Sequence, residues 1–444
     1  MKKAMKITGI SLGTVVALFG VWHFTQGQSI APSQNISPNF KGRFLAISDA
    51  DMIAGAYANG ELNKVKGIED ELLLVDGSVE SSNRMKPLHV SNSVISWPAI
   101  LEWNPKYQFA YVAETRAVHK GEAQKMKNVF TDFPVGKKIT VVDYSKPTAP
   151  KVVQEKQIGE NIQGVSINAE GTLLVSGSTQ KGKELVVMGL KEGLVQDVQS
   201  FTHEDISTRD TGNGGIRTIE FHPTKNIIAA NLNNTHLIFF KITDNKGSIS
   251  LSQLGKTMEV AKRWSVGNWH PSGKYFILSD LRWGDGLGQI THGKGKLVSI
   301  GFDEGGNHTI IDKEKVGLSP EGFDISPDGN YAVTANMRRT WAPKKGFWFV
   351  PARKESSLSL VKINPDTGEL TKVGKDYGFE GALPEDAIFD QDNNTIAVAV
   401  YHDRNEEFPK EGWIDFWELK DNQLIKTEKQ LKVARGAHNL LLIK

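Results

Sequence analysis

Two glutamates and a histidine stand at one repeated slot of this chain, each close to the start of a short apolar strand. Glu321 opens "PEGFDISPDGNYAVTAN", Glu385 opens "PEDAIFDQDNNTIAVAVY" and His438 lies in the C-terminal "ARGAHNLLLIK". Carboxylates and an imidazole brought to one place allow three chemistries. They can hold a divalent cation through oxygen and nitrogen. They can act as general acid and base, one carboxyl raising the pKa of the other. They can also simply pair with Arg217, Arg116 and other basic groups in a solvated funnel.

What must position them is a phrase of strand, corner and strand. In residues 319–336 the corner is Pro327-Asp328-Gly329, where proline presets φ and glycine takes a positive one. The phrase recurs at 97–114, 162–177, 216–231, 264–280 and 383–401, with starts about 45 to 65 residues apart, the length of a four-stranded propeller blade. Third strands follow ("KITVVDYS", "KELVVMGL", "HLIFFKI", "KLVSIGFD", "SLSLVKIN", "WIDFWEL"), then polar fourth ones. The leftover ends complete each other. The C-terminal segment supplies a first strand, and 41–91 supplies the second, third and fourth. The expected fold is therefore all-β: a seven-bladed β-propeller over 41–444, its ring closed by the C-terminal strand.

The phrase resembles the repeats of the YVTN/lactonase-like seven-bladed propellers. That resemblance implies the fold of 6-phosphogluconolactonase-type enzymes and, as an activity, hydrolysis of a small lactone or ester at the channel mouth. The same repeat occurs in binding and redox propellers, so the alternative is a non-catalytic ligand- or protein-binding scaffold. On the lactonase reading, Glu385 or Glu321 activates water and Arg217 or Arg338 stabilises the oxyanion.

Alignment of the copies puts Ala99, Gln163, Arg217, Ser265, Glu321, Glu385 and His438 in one slot beside the channel. The loops that leave the second strands share this face. They give the ligand-binding candidates Glu114, Arg116, Asp280, Arg282, Asn336, Arg338, Tyr401 and His402. Long loops at 114–138, 280–296, 336–357 and 401–412 carry aromatic residues (Trp283, Trp341, Phe347, Trp348, Phe349) beside arginines, which suits sugar-like rings, carboxylates or a planar cofactor. His119, His292 and His402 sit in these loops as candidate ligands, whereas His222 and His270, in the opposite-face turns, read as structural. The glycine-rich "GDGLGQ" and "TGNGG" do not follow a strand and open a helix, so they read as turns and not phosphate cradles.

Composition narrows the partners. A net charge of +2, from 53 basic and 51 acidic side chains, gives no electrostatic footprint for nucleic acid. A small molecule or a protein is the expected partner. With no cysteine, disulfides, zinc–thiolate sites and iron–sulfur clusters are excluded; the sequence makes no cofactor certain, and a divalent cation is one that the candidate residues could hold. Lys2, Lys3 and Lys6 precede an apolar run over 7–24 and then small polar residues. Residues 1–31 therefore read as a signal peptide or an N-terminal membrane anchor, and 32–40 as a linker. Both versions export the body to the periplasm or the outside, with a membrane association only if 7–24 remain attached.

Overall fold

The computed structural model describes residues 31–36, 39–76, 86–93, 95–202, 214–245, 247–284, 288–342, 353–402 and 410–444. Of the leader expected over 1–31, residues 1–30 lie outside the described residues, as do the aromatics Phe347, Trp348 and Phe349.

Seven four-stranded antiparallel sheets form the ring. Their inner strands are Leu101–Asn104, Ile162–Ile167, Ile216–Phe221, Trp264–Trp269, Pro320–Ile325, Ala382–Phe389 and Ala437–Ile443, blades one to seven in that order. In blade seven the C-terminal strand pairs with Arg43–Ser48, which pairs with Glu71–Asp76 and then Leu88–His89. The ring closes as the leftover ends require. Apolar residues alternate along the strands and fill the space between blades, and one such cluster joins blades seven, one and two across the closure.

Inner hairpins also clasp the next blade on the face opposite the candidate site. His222 Nε2 lies 3.1 Å from the Gly273 carbonyl, and His270 Nε2 lies 3.0 Å from that of Gly329. The expected structural role of both histidines is what the ring uses. Gly329 has φ +78°, and a Cβ there would meet the His270 ring at 2.4 Å. Only glycine permits both the turn and the clasp. Asp328 fixes the corner, accepting from Ser326 Oγ at 2.6 Å and from the Asn330 amide at 3.0 Å.

Residues 31–36 do not hang free as a linker would. The Gln34 amide donates to Lys426 O at 2.9 Å, and Glu428 N donates to Gln34 O at 3.1 Å. Phe40 is fully buried against Phe44 and Phe416.

A second irregularity matters more for function. The pairing of first and second strands shifts register between Ile162 and Val165, Ile216 and Ile219, Trp264 and Gly267, Pro320 and Phe323, and Pro384 and Asp386. Such bulges turn the enclosed side chains away from the regular pleat. The enclosed residues include Gln163, Arg217, Ser265, Glu321 and Glu385, members of the repeated slot.

Candidate functional site

The slot is real in space. The Val165 amide donates to Ala99 O, and Ser265 Oγ donates to Glu321 O at 2.6 Å, so neighbouring blades meet at these positions. The glycine after the slot permits the approach. A Cβ at Gly322 would lie 2.3 Å from Glu385 O, and one at Gly164 would lie 2.9 Å from Arg217 O.

Glu321, Glu385 and His438 are buried, with 5%, 0% and 0% of their surface exposed. Both Glu385 carboxyl oxygens and both His438 ring nitrogens are buried without an oriented hydrogen bond. Buried polar atoms in that condition are rare, and here the Glu321 carboxyl lies beside Glu385 and the Ser96 backbone beside His438. Burial pushes the Glu321 carboxyl up to about 8. Burial, then the neighbouring Glu321, push Glu385 well above the ordinary carboxyl range, so that a proton stays on this pair at neutral pH. Burial holds the His438 imidazole neutral, lowered to about 3, with only the Ser96 backbone opposing.

A roof covers them. Met52, Ala54, Ala56, Leu62, Ile95, Met126, Val129, Phe133, Leu281, Met337, Trp341, Leu383 and Tyr401 pack into one apolar cluster with Tyr57, Trp97 and Trp283 at its edge. Its members come from the loops of blades seven, one, four, five and six. The sequence pointed to four long loops on this face and missed the one at 49–70. That loop carries the short helix Ala56–Asn59 and brings Tyr57 to the site. Burial and then Glu385, Tyr401 and Glu321 raise the Tyr57 hydroxyl well above its usual pKa. Periodicity could not find Tyr57, because its loop belongs to no repeat. Two roof indoles, Trp97 and Trp341, have buried N–H groups without a partner.

The remaining candidates divide by what already engages them. Glu114 accepts from the Lys137 amide at 3.2 Å and sits 3.8 Å from Lys138 Nζ. Arg116 donates to Phe130 O at 2.6 Å and holds its own loop. Asp280 Oδ1 accepts from the amides of Lys262, Arg263 and Arg282. Asn336 bonds Ser357, Ser359 and Thr334. Tyr401 donates to Met52 O at 2.9 Å and supports the roof. Their polarity shapes loops. His402 ends its strand opposite Ala382, and its side chain lies outside the described residues.

Arginines form two groups around the mouth. Burial, then repulsion from Arg263 and Arg116, lower Arg217 to about 10. In blade five burial, then Arg353, lower Arg338 to about 10 against Glu355 and Asp376, and burial, then Arg353 and Arg338, lower Arg339 to about 9. Arg282 belongs to the same side, where it and Arg339 help burial lower His292 to about 4. His292 is buried, 3.2 Å from Ser319 Oγ, and is not solvated. His119 shares its loop with Arg116, and its amide donates to Asp51 at 2.7 Å. Among the described residues no three His, Asp or Glu side chains are arranged to hold a metal ion. "GDGLGQ" runs into a single helical turn, Gly288–Thr291, too short to act as a phosphate-binding helix end.

The fold defines a class: a seven-bladed propeller with a roofed, carboxyl-bearing channel mouth. No family model and no curated sequence matches the chain. Solved structures do. A candidate 6-phosphogluconolactonase from Bacteroides uniformis aligns at 15% identity with TM-score 0.59, covering 91% of this chain and 100% of its own. One from Bacteroides fragilis aligns at 14% and 0.59, covering 91% and 98%. The periplasmic gluconolactonase of Pseudomonas aeruginosa aligns at 14% and 0.63, covering 90% and 99%. The chain shares the fold of these lactonase-like propellers.

Proposed function

We propose that the chain is an exported hydrolase that opens a small lactone or ester beneath the roof. The observation that carries this reading is the buried pair Glu321–Glu385, which shares its slot with His438, and whose Glu385 oxygens, like the His438 ring nitrogens, have no hydrogen bond of regular geometry. The resemblance in fold to gluconolactonases, one of them periplasmic, supports both the substrate class and the compartment.

In the reaction, a water oxygen attacks the ester carbonyl while Glu321, in the fraction of molecules where it is ionised, a fraction that grows as pH approaches 8, takes the water proton. A pKa near 8 makes it a stronger base than an ordinary glutamate. His438, neutral, donates a hydrogen bond to the developing oxyanion, as do the indole N–H groups of Trp97 or Trp341. When the carbon–oxygen bond of the ring breaks, protonated Glu385 gives its proton to the leaving alkoxide. The proton on Glu321 then returns to Glu385, and the net change is addition of one water. Arg217 or Arg338, the oxyanion candidates from sequence, would add positive charge on the same side of the reaction.

The roof also suits the second reading, a binding protein that holds a small ligand without turning it over. Assays on a panel of lactones and simple esters, with and without chelator, separate the two. Turnover lost in Glu385→Gln and Glu321→Gln is expected, and loss on chelation would add a divalent cation to the site. Saturable binding with no hydrolysis of any panel member would favour the binding protein. Export is tested by N-terminal sequencing of material outside the cytoplasm, where a start near residue 28 to 32, or an intact anchored terminus, is expected.

A further inference from the structure

We propose that Ser319, paired with His292, is a nucleophile that takes the acyl group of an activated ester. This nucleophile lies outside the hydrolase reading, because it uses neither buried carboxyl.

The hydrogen bonds around His292 fix where the protons lie in the neutral ring. Nδ1 is 2.8 Å from the Gly293 carbonyl, which can only accept, so Nδ1 carries the ring proton. Nε2 is then the acceptor, and the Ser319 hydroxyl, 3.2 Å away, donates to it. The Trp283 indole donates to the same Ser319 oxygen at 3.0 Å. A hydroxyl oxygen has two lone pairs. The indole engages one, and the other is left to attack a carbonyl carbon.

The backbone at Ser319 is strained as well. Its φ is +57°, in the left-handed region, and Pro320 follows it. Among the described residues that conformation falls mostly to glycine, asparagine and aspartate. A serine here keeps a backbone that glycine would relax, and what serine adds is the hydroxyl. Two bonds hold the strained turn: Met337 N donates to Ser319 O and Arg338 N to Leu318 O, both at 2.9 Å. A serine on a strained turn, its hydroxyl on an imidazole, is the arrangement that activates serine for acyl transfer.

The residue after such a serine ordinarily lends its amide to the oxyanion, and Pro320 has none. A side chain takes that place. Trp341 stands in the turn that follows Met337, the residue bonded to Ser319 O, and its ring centroid lies 6.2 Å from that of Trp283. Its N–H is buried without a partner, and only 8% of the residue is exposed. That N–H donates to the oxyanion. In the step, Ser319 Oγ bonds to the acyl carbon while its proton passes to His292 Nε2. The bond from that carbon to the leaving oxygen breaks, and the leaving oxygen takes the proton from Nε2. The products are an acyl-serine and an alcohol, and attack of water on the acyl-serine restores the hydroxyl. Burial, opposed by the Gly293 carbonyl and joined by Arg339, Lys262 and Arg282, lowers the imidazole to about 4. So weak a base needs a leaving group that departs readily, such as the phenolate of an aryl ester.

The test is sulfonylation of the full chain by phenylmethanesulfonyl fluoride, followed by peptide mass spectrometry. Fluoride stands in for the leaving group, and the bond formed joins Ser319 Oγ to sulfur. An adduct on Ser319 is expected. Excess phenyl acetate should slow its formation by competing for the same oxygen, and no slowing would overturn the aryl-ester class. His292→Gln keeps an acceptor for the hydroxyl but no base, and should slow sulfonylation by about ten-fold or more with its thermal transition intact. If that variant does not fold, Trp341→Phe decides instead. It keeps an aromatic ring, removes the oxyanion donor and should slow the reaction by about ten-fold or more. No adduct on Ser319, adducts confined to other residues, or an unchanged rate in the folded variant would overturn the proposal. The bond from Ser319 to His292 would then serve only to tie the blade-four loop to the entry of blade five. Lactone turnover is no part of the readout, so this nucleophile and the hydrolase stand or fall separately.

Discussion

At Glu385 the side chain is neutral because water is excluded, and Gln reproduces a neutral side chain of the same shape. Glu385→Gln should therefore fold normally while losing ligand binding or turnover. Its pH dependence is specific. The folded chain holds the proton well above the ordinary value of 4.5, whereas the unfolded chain releases it there. The stability tied to this proton is fully present below that value and is lost as pH rises toward the elevated folded value, because the unfolded state then binds fewer protons. Scanning calorimetry should show the wild-type melting temperature falling more steeply than that of Glu385→Gln as pH rises above the ordinary carboxyl value of 4.5. Parallel curves would mean that the pair is ionised when folded. His438 works in the other direction. Held neutral down to about 3 against an ordinary 6.5, it favours the unfolded chain as pH falls between those values. His438→Gln should lessen the acid destabilisation in that window, and an unchanged acid limb would place a charged histidine in the channel.

Hairpins and loops explain which parts of this were legible in the sequence. The phrase around Pro327-Asp328-Gly329 predicts a blade because turn chemistry and strand alternation are both local, and the copies state the period. It also places Glu321, Glu385 and His438 correctly in one slot. The bulges that aim them inward leave no mark in composition, and the loop at 49–70 repeats nothing, so Tyr57 stayed invisible. Polarity at the ends of second strands misleads for a different reason. Glu114, Asp280 and Asn336 are polar because their loops need capped amides and anchored hydroxyls, and a sequence does not distinguish that demand from ligand binding. The clasp residues test how much each hairpin contributes to the ring. His270→Ala leaves the Gly329 carbonyl without its partner and should cost about 1–3 kcal/mol in denaturant unfolding. A loss below a few tenths of a kcal/mol would show that water replaces the ring nitrogen at no cost.

Closure decides the stability of the whole molecule, because a propeller has no core apart from the contacts between successive blades. The last strand, Ala437–Ile443, pairs with Arg43–Ser48 and packs between the inner strands of blades six and one. Asn439 alone accepts from the Ile100 and Leu101 amides at 3.0 and 3.1 Å and donates to Asp386 at 2.8 Å. The same strand carries His438, so the element that shuts the ring also completes the site. Deleting residues 434–444 removes an inner strand, exposes a sheet edge and opens two blade interfaces. That loss exceeds the roughly 5–15 kcal/mol by which a domain is held. The truncated chain should show no cooperative thermal transition, and adding the peptide 434–444 in excess should restore one by strand complementation. An unchanged melting temperature after truncation would mean that six blades close without the seventh, and that the velcro at the chain ends serves the site alone.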